Sequence, residues 1–234
     1  MVDDRTGATT RRRLLRLTAA LATAAPLTAL VPGGTAGATP DRRVRQVVLV
    51  PRFGGDPTSD WYPWLSRRLA DLGVRLKVVR LLPEPTAPGV DQMVAAIAKA
   101  VGDDRAGTLL VGHSVGSRAL LAYLSRHGKG RAFAGLVSVA GWFTVDDLGS
   151  YPALVPWVDL AVDAAAITAA AGPITVHLSD DDPFTADWRT NAGRWLAELG
   201  ASVHLTPGAG HFMATTAPQV VDTIRAVGDR SMAR

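Results

Sequence analysis

The 234-residue chain contains no cysteine. That excludes disulfide stapling and lipid attachment through a cysteine, and the fold must be held by its core alone. No cluster of residues has metal-ligand spacing, and neither the G-x-G-x-x-G nor the P-loop pattern occurs, so no metal or cofactor is expected. No basic stripe with interleaved aromatics is present, which argues against nucleic acid as a partner. Nor does any internal repeat or long low-complexity segment follow the N-terminal region.

The formal charge of +4 is misleading in the same direction. Residues 1–38 hold five of the 25 basic and two of the 21 acidic residues, so the remainder is nearly neutral. Those 38 residues read as an export signal. Consecutive arginines and leucines in Thr10-Arg11-Arg12-Arg13-Leu14-Leu15-Arg16 precede an apolar stretch from Leu17 to Val31, and Ala36-Gly37-Ala38 offers an A-x-A cleavage site. The Arg-Arg pair fits the bacterial twin-arginine pattern, with an ordinary secretory signal as the alternative. Pro26 interrupts the short apolar stretch, which disfavours a permanent membrane span over a cleaved signal. The expected location is extracellular or in the cell envelope, with 39–234 as one domain large enough for a full core.

Within 39–234, strand-like and helix-like segments alternate. Strands are expected at Val47–Val50, Arg75–Leu81, Thr108–Val111, Leu136–Val139, Ile174–Leu178 and Ser202–Leu205. Helices are expected at Trp61–Leu72, Asp91–Val101 (with Asp91 as N-cap), Ser117–Arg126, Val158–Ala171, Asp187–Leu199 and Thr216–Val227. About six near-continuous apolar strands alternating with helices imply an α/β fold, a mostly parallel sheet covered on both faces. The irregular, aromatic segment from Gly141 to Trp157 is expected to form a short cap.

Gly112-His113-Ser114-Val115-Gly116 lies between the third strand and the third helix. A G-x-S-x-G pentapeptide in strand–turn–helix context is the setting of a nucleophile elbow. The chain has 23 glycines, yet chance would supply only about 0.1 such pentapeptides in this composition. The plain alternative is a glycine-rich turn whose serine caps the helix.

A serine hydroxyl needs a base and an acid, which in this chain order should follow as Asp or Glu and then His. Of five histidines, His113 is expected to face away from the site and support the elbow, His127 ends a helix, and His177 and His204 fall inside strands. His211 stands in a glycine-rich loop after the last strand, where a base can reach the serine. For the acid, Ser179-Asp180-Asp181-Asp182-Pro183-Phe184 follows the fifth strand, and Asp182 before Pro183 is the first choice. Asp180 or Asp181 could hold the loop's shape instead, and Asp146 and Asp147 are further candidates.

The N–H of Val115 is the expected first oxyanion donor. The second should come from the loop after the first strand, with Phe53 ahead of Arg52 and Pro51 unable to donate. Trp142, Phe143, Trp157 and Met213 are candidate walls of an apolar pocket, against the alternative of ordinary core packing. Phe53, Ser114, Asp182 and His211 all follow strands, where ligands bind in parallel α/β sheets.

These residues resemble the small serine hydrolases of the YdeN type within the α/β-hydrolase superfamily. Four stretches carry the resemblance: Val50-Pro51-Arg52-Phe53-Gly54-Gly55 with Trp61-Tyr62-Pro63-Trp64-Leu65, the elbow, the acidic-Pro-Phe stretch, and Gly210-His211-Phe212. It implies an α/β-hydrolase fold from about Val47 to Val227, with Ser114 as nucleophile, Asp182 as acid and His211 as base. Arg52 stands where the family usually has glycine, and its long side chain is expected to reach over the site. An exported form is also unlike the typical intracellular members. The expected activity is hydrolysis of a small-molecule carboxylic ester through an acyl-enzyme. Amide or thioester hydrolysis, cofactor-free haloperoxidase chemistry and a non-catalytic binding domain are the alternatives.

Overall fold

The computed structural model describes residues 43–80, 89–128, 130 and 132–232. Residues 1–38, read above as an export signal, and Leu81, the expected end of the second strand, lie outside them. Among the described residues six strands form one sheet: β1 Gln46–Val50, β2 Arg75–Val78, β3 Thr108–His113, β4 Gly135–Val139, β5 Ile174–Leu178 and β6 Ser202–Leu205. Every pairing is parallel, in the order β2-β1-β3-β4-β5-β6.

Helices cover both faces. α2 (Val90–Val101), α3 (Val115–His127), α5 (Ala164–Ala171) and α6 (Trp188–Leu199) pack on one core that takes Val48, Val50, Leu110, Leu136 and Val176 from the strands. α1 (Tyr62–Ala70) and α7 (Pro218–Met232) pack on the other, with Val47, Leu49, Leu109, Val111, Val137 and Val139. Successive strand residues alternate between the two cores, which is why the central strands read as unbroken apolar runs.

The chain leaves β1 toward β2 on one side and returns to β3 on the other. This reversal opens a crevice beyond the carboxyl ends of β1 and β3, the favoured ligand position of such sheets. Val50 pairs in register with Gly112, so the β1 loop and the elbow meet there.

Several boundaries differ from expectation, each for a local reason. The helix expected over Val158–Ala171 is two pieces, α4 (Val155–Val158) and α5. Arg118 takes the carbonyls of Trp157 and Leu160, which a continuous helix would need internally, and Asp163 starts α5 by accepting from the N–H of Ala166. Asp91 is not the N-cap of α2; Gly89 is, and the Asp91 carboxylate pairs with Arg126 at 2.6 Å. α3 begins at Val115, directly after the serine, and α7 is displaced toward the C-terminus.

Candidate active site

Ser114 has φ 55° and ψ −124°, a conformation that an L-residue holds only when its surroundings enforce it. The enforcement is visible. Its N–H donates to the carbonyl of Val139 at 2.8 Å, and both flanking glycines are needed for close approach. A Cβ on Gly112 would lie 2.6 Å from Cα of Ser117 in α3, and one on Gly116 would lie 2.1 Å from the carbonyl oxygen of Val50 in β1. Ser114 makes no side-chain cap to α3, so its hydroxyl is not spent on the helix.

His211 and Asp182 are brought together from two loops, with Nδ1 of the histidine 2.8 Å from Oδ2 of the carboxylate, both nearly fully buried. The second carboxylate oxygen accepts from the N–H of Phe184 at 2.9 Å, so Asp182 is oriented at both ends. Facing a carboxylate, Nδ1 carries the proton, and Nε2 is left as the basic nitrogen.

The remaining acids do other work. Asp180 accepts from the N–H of Gly208 at 3.0 Å and Asp181 from that of Gly210 at 2.7 Å, pinning the loop that carries His211. Asp146 accepts from Ala186 N–H, and Asp147 closes a turn on Ser150. Among the described residues neither hydrogen-bonds His211.

The serine hydroxyl accepts from the indole N–H of Trp142 at 3.3 Å. Among the described residues no hydrogen bond joins Ser114 to His211, although both line one cavity. Such bonds are often long before substrate binds.

On the β1 loop, the N–H of Arg52 donates to the Tyr62 hydroxyl at 3.2 Å and is thereby occupied. The N–H groups of Phe53 and Val115 have no partner among the described residues and remain free for an incoming oxygen. The Arg52 side chain reaches the cavity wall but not across it, because Nε and Nη2 grip Asp60 at 2.7 and 3.2 Å.

His113 does not line the cavity, in keeping with its expected place facing away from it, but it is tied to the segment that carries the base. It is fully buried, with its ring 5.5 Å from that of His211 and its Nε2 2.8 Å from the His211 carbonyl oxygen. Burial, and secondarily the nearby His211, push its pKa down to about 3.

The cavity measures about 540 Å³. Trp142 and Met213 line it as expected, with Arg52 and Phe53. Phe143 and Trp157 do not, and the expectation is corrected. The guanidinium groups of Arg118 and Arg194 lie over the Phe143 ring at 5.0 and 4.3 Å, and Phe143 meets Trp195 edge-on. Trp157 is buried in the larger core. The other walls are Val145, Asp147, Tyr151, Leu154, Pro183 and Phe184. Phe184 packs edge-on against both His211 and Tyr151, at 4.7 and 5.5 Å between ring centres. Its place beside the acid was the one available sequence signal for it.

A model of the serine hydrolase family matches residues 47–224. The chain belongs to that family. Within it, this serine hydrolase is of the small YdeN type: it is 25% identical to YdeN of Bacillus subtilis over 188 residues, spanning 77% of this chain and 94% of YdeN. The crystal structure of the B. subtilis ydeN gene product matches with a TM-score of 0.72, at 23% identity over 80% of this chain and all of that one. Two more distant structures share the α/β-hydrolase fold. One comes from work on carboxylesterases of the thaumarchaeon Nitrososphaera gargenis (TM-score 0.61, 11% identity, covering 82% of this chain and 93% of that one). The other is RedJ, a thioesterase of prodiginine biosynthesis in Streptomyces coelicolor (TM-score 0.52, 17% identity, covering 79% and 89%).

Proposed function

We propose that this serine hydrolase cleaves uncharged carboxylic esters through an acyl-enzyme formed on Ser114, with His211 as base and Asp182 as acid, and that it acts after export. The observation that carries the reading is the buried 2.8 Å pair of Asp182 and His211 sharing a cavity with a serine in strained elbow geometry.

The Ser114 hydroxyl attacks the ester carbonyl and passes its proton to Nε2 of His211. Asp182 accepts the Nδ1 hydrogen bond throughout and stabilises the imidazolium. The carbonyl oxygen, now negative, is held by the N–H groups of Val115 and Phe53. Collapse breaks the bond to the alcohol, which leaves with the proton from Nε2. Water then repeats the cycle on the acyl-enzyme and releases the acid.

An uncharged substrate fits the walls. Arg52 is already paired with Asp60, and the Asp147 carboxylate is taken up by Ser150. Neither offers a free partner to a charged acyl group, and the remaining lining is mostly apolar. Thioesters and amides would meet the same groups; the carboxylesterase and thioesterase folds among the relatives favour the ester and thioester over the amide.

The test is capture of Ser114 by a fluorophosphonate together with hydrolysis of p-nitrophenyl esters. Ser114→Ala should abolish labelling and lower kcat by about 10³-fold or more. Full esterase activity in that variant would sink the proposal, and wild-type protein inert to both reagents would favour a binding domain.

A further inference from the structure

The Asp60-Trp61-Tyr62 stretch has no part in the chemistry above, yet it touches three of the four chain segments that carry it. Asp60 grips the Arg52 guanidinium, fixing the loop that presents the Phe53 N–H. Trp61 donates its indole N–H to the carbonyl of Phe212, next to His211, at 3.0 Å. The Tyr62 hydroxyl lies 2.7 Å from Nδ1 of His113, the residue before Ser114. It also receives the Arg52 N–H.

The direction of each bond follows from elimination. The His211 carbonyl can only accept, so Nε2 of His113 carries the proton and donates. His113 is neutral in its dry setting, so Nδ1 is bare and must accept. Tyr62 therefore donates to it, leaving the phenol oxygen to accept from Arg52. The result is one ordered chain: Arg52 N–H to Tyr62, Tyr62 O–H to His113, His113 Nε2–H to the carbonyl of His211. The groups facing His113 include Trp61, Tyr62, His211 and the Asp60 carboxylate at 3.9 Å, itself engaged by the Arg52 guanidinium, whose charge also acts on His113.

We infer that Asp60, Trp61 and Tyr62, at the start of α1, form a clasp of positioning residues that sets the spacing between the oxyanion loop, the nucleophile strand and the base loop. The inference rests on the proposed use of Phe53, Ser114 and His211. The strain supports it: Asp60 and Phe212, one at each end of the clasp, both have positive φ, at 50° and 52°. Non-glycine residues stay there only where contacts hold them. All three loops follow different strands, and sheet packing alone leaves loops free to shift. A misplacement near 1 Å costs up to about 10²-fold in rate.

The test compares wild type with Tyr62→Phe, which keeps the ring and removes the hydroxyl. The expected result is a fall in kcat of about tenfold on p-nitrophenyl acetate, with KM within about twofold, and equally slower capture of Ser114 by a fluorophosphonate. A residue with a purely structural role would lower Tm and leave kcat unchanged, and that outcome overturns the clasp. Trp61→Phe should act in the same sense through the base loop alone. Independently of any variant, ¹⁵N NMR of histidine-labelled wild type should show His113 protonated on Nε2 and bare on Nδ1 from pH 8 to pH 5. A proton on Nδ1, or titration of His113 near pH 6, would also overturn it. Wild type inert to ester and probe would instead defeat the proposed function while leaving the NMR result readable.

Discussion

At Ser114 the hydroxyl already has one donor, the indole N–H of Trp142. That contact occupies an oxygen lone pair and leaves the O–H free to turn toward His211. Donation to the oxygen also favours its anionic form. Trp142→Phe keeps the apolar wall and removes the N–H. It should lower kcat about tenfold with KM changed less than twofold, measured on an ester series. An unchanged kcat would reduce Trp142 to a wall. His211, Asp182 and Trp142 were legible because each sits just past a strand in chain order. Phe143 and Trp157 were misread because aromatic character does not reveal which way a loop residue points. Phe143 is held by Arg118 and Arg194, from helices distant in sequence. Tyr151 and Leu154 are missed for the converse reason: they stand in the irregular segment from Gly141 to Trp157, and only the folded chain brings them to the cavity, whereas Phe184 has its place beside the acid as a signal.

At the scale of elements, β5 was readable from its unbroken apolar run, buried throughout, and β6 equally well although it is a largely exposed edge strand. Helix ends were less so, since Arg118 splits one helix with contacts no local pattern announces. Two strands also carry a liability. His113 in β3 and His177 in β5 are buried and neutral, held down to about 3 and about 4, chiefly by burial and then by His211 and His204 respectively. His177 donates Nε2–H to Thr223, whose own hydroxyl donates to the Gln219 carbonyl, and its Nδ1 has no partner among the described residues. In the unfolded chain both histidines take up protons below about pH 6.5, whereas in the fold they do not until about pH 4 or lower. The unfolded state therefore binds more protons in that window, and stability falls as pH falls. Between about pH 6 and pH 4 the loss should approach about 3 kcal/mol per pH unit from these two groups. Denaturant titrations at several pH values measure it. His177→Asn, which cannot titrate, should flatten the slope by about half; an unaltered slope would refute the assignment.

At the scale of the whole molecule, the proposed export and the lack of cysteine fit together. A chain without thiols needs no oxidising compartment to complete its fold, so crossing a membrane already folded costs it nothing covalent. Among the described residues no helix is long and apolar enough to cross a membrane. If residues 1–38 are a cleaved twin-arginine signal, the exported protein starts near Thr39, and N-terminal sequencing of secreted material should find it there. Met1 on that material would refute cleavage. Replacing Arg11, Arg12 and Arg13 by lysine should strand the protein on the cytoplasmic side.

Arg118 lies four residues past Ser114, on the helix that the nucleophile introduces, and it holds the carbonyls of Trp157 and Leu160 beyond the cavity wall. The far side of the substrate chamber is thus moored to α3 rather than to the sheet. The stretch between those moorings and Trp142 is tied to the acid loop as well, by the Asp146 N–H on the Phe184 carbonyl, the Asp146 carboxylate on the Ala186 N–H, and Tyr151 against the Phe184 ring. Exchanging the side chains of Val145 and Leu154, wall residues that make no such tie, would recut the chamber while leaving the reacting atoms in place, so that a single scaffold could be refitted to new acyl groups by two substitutions.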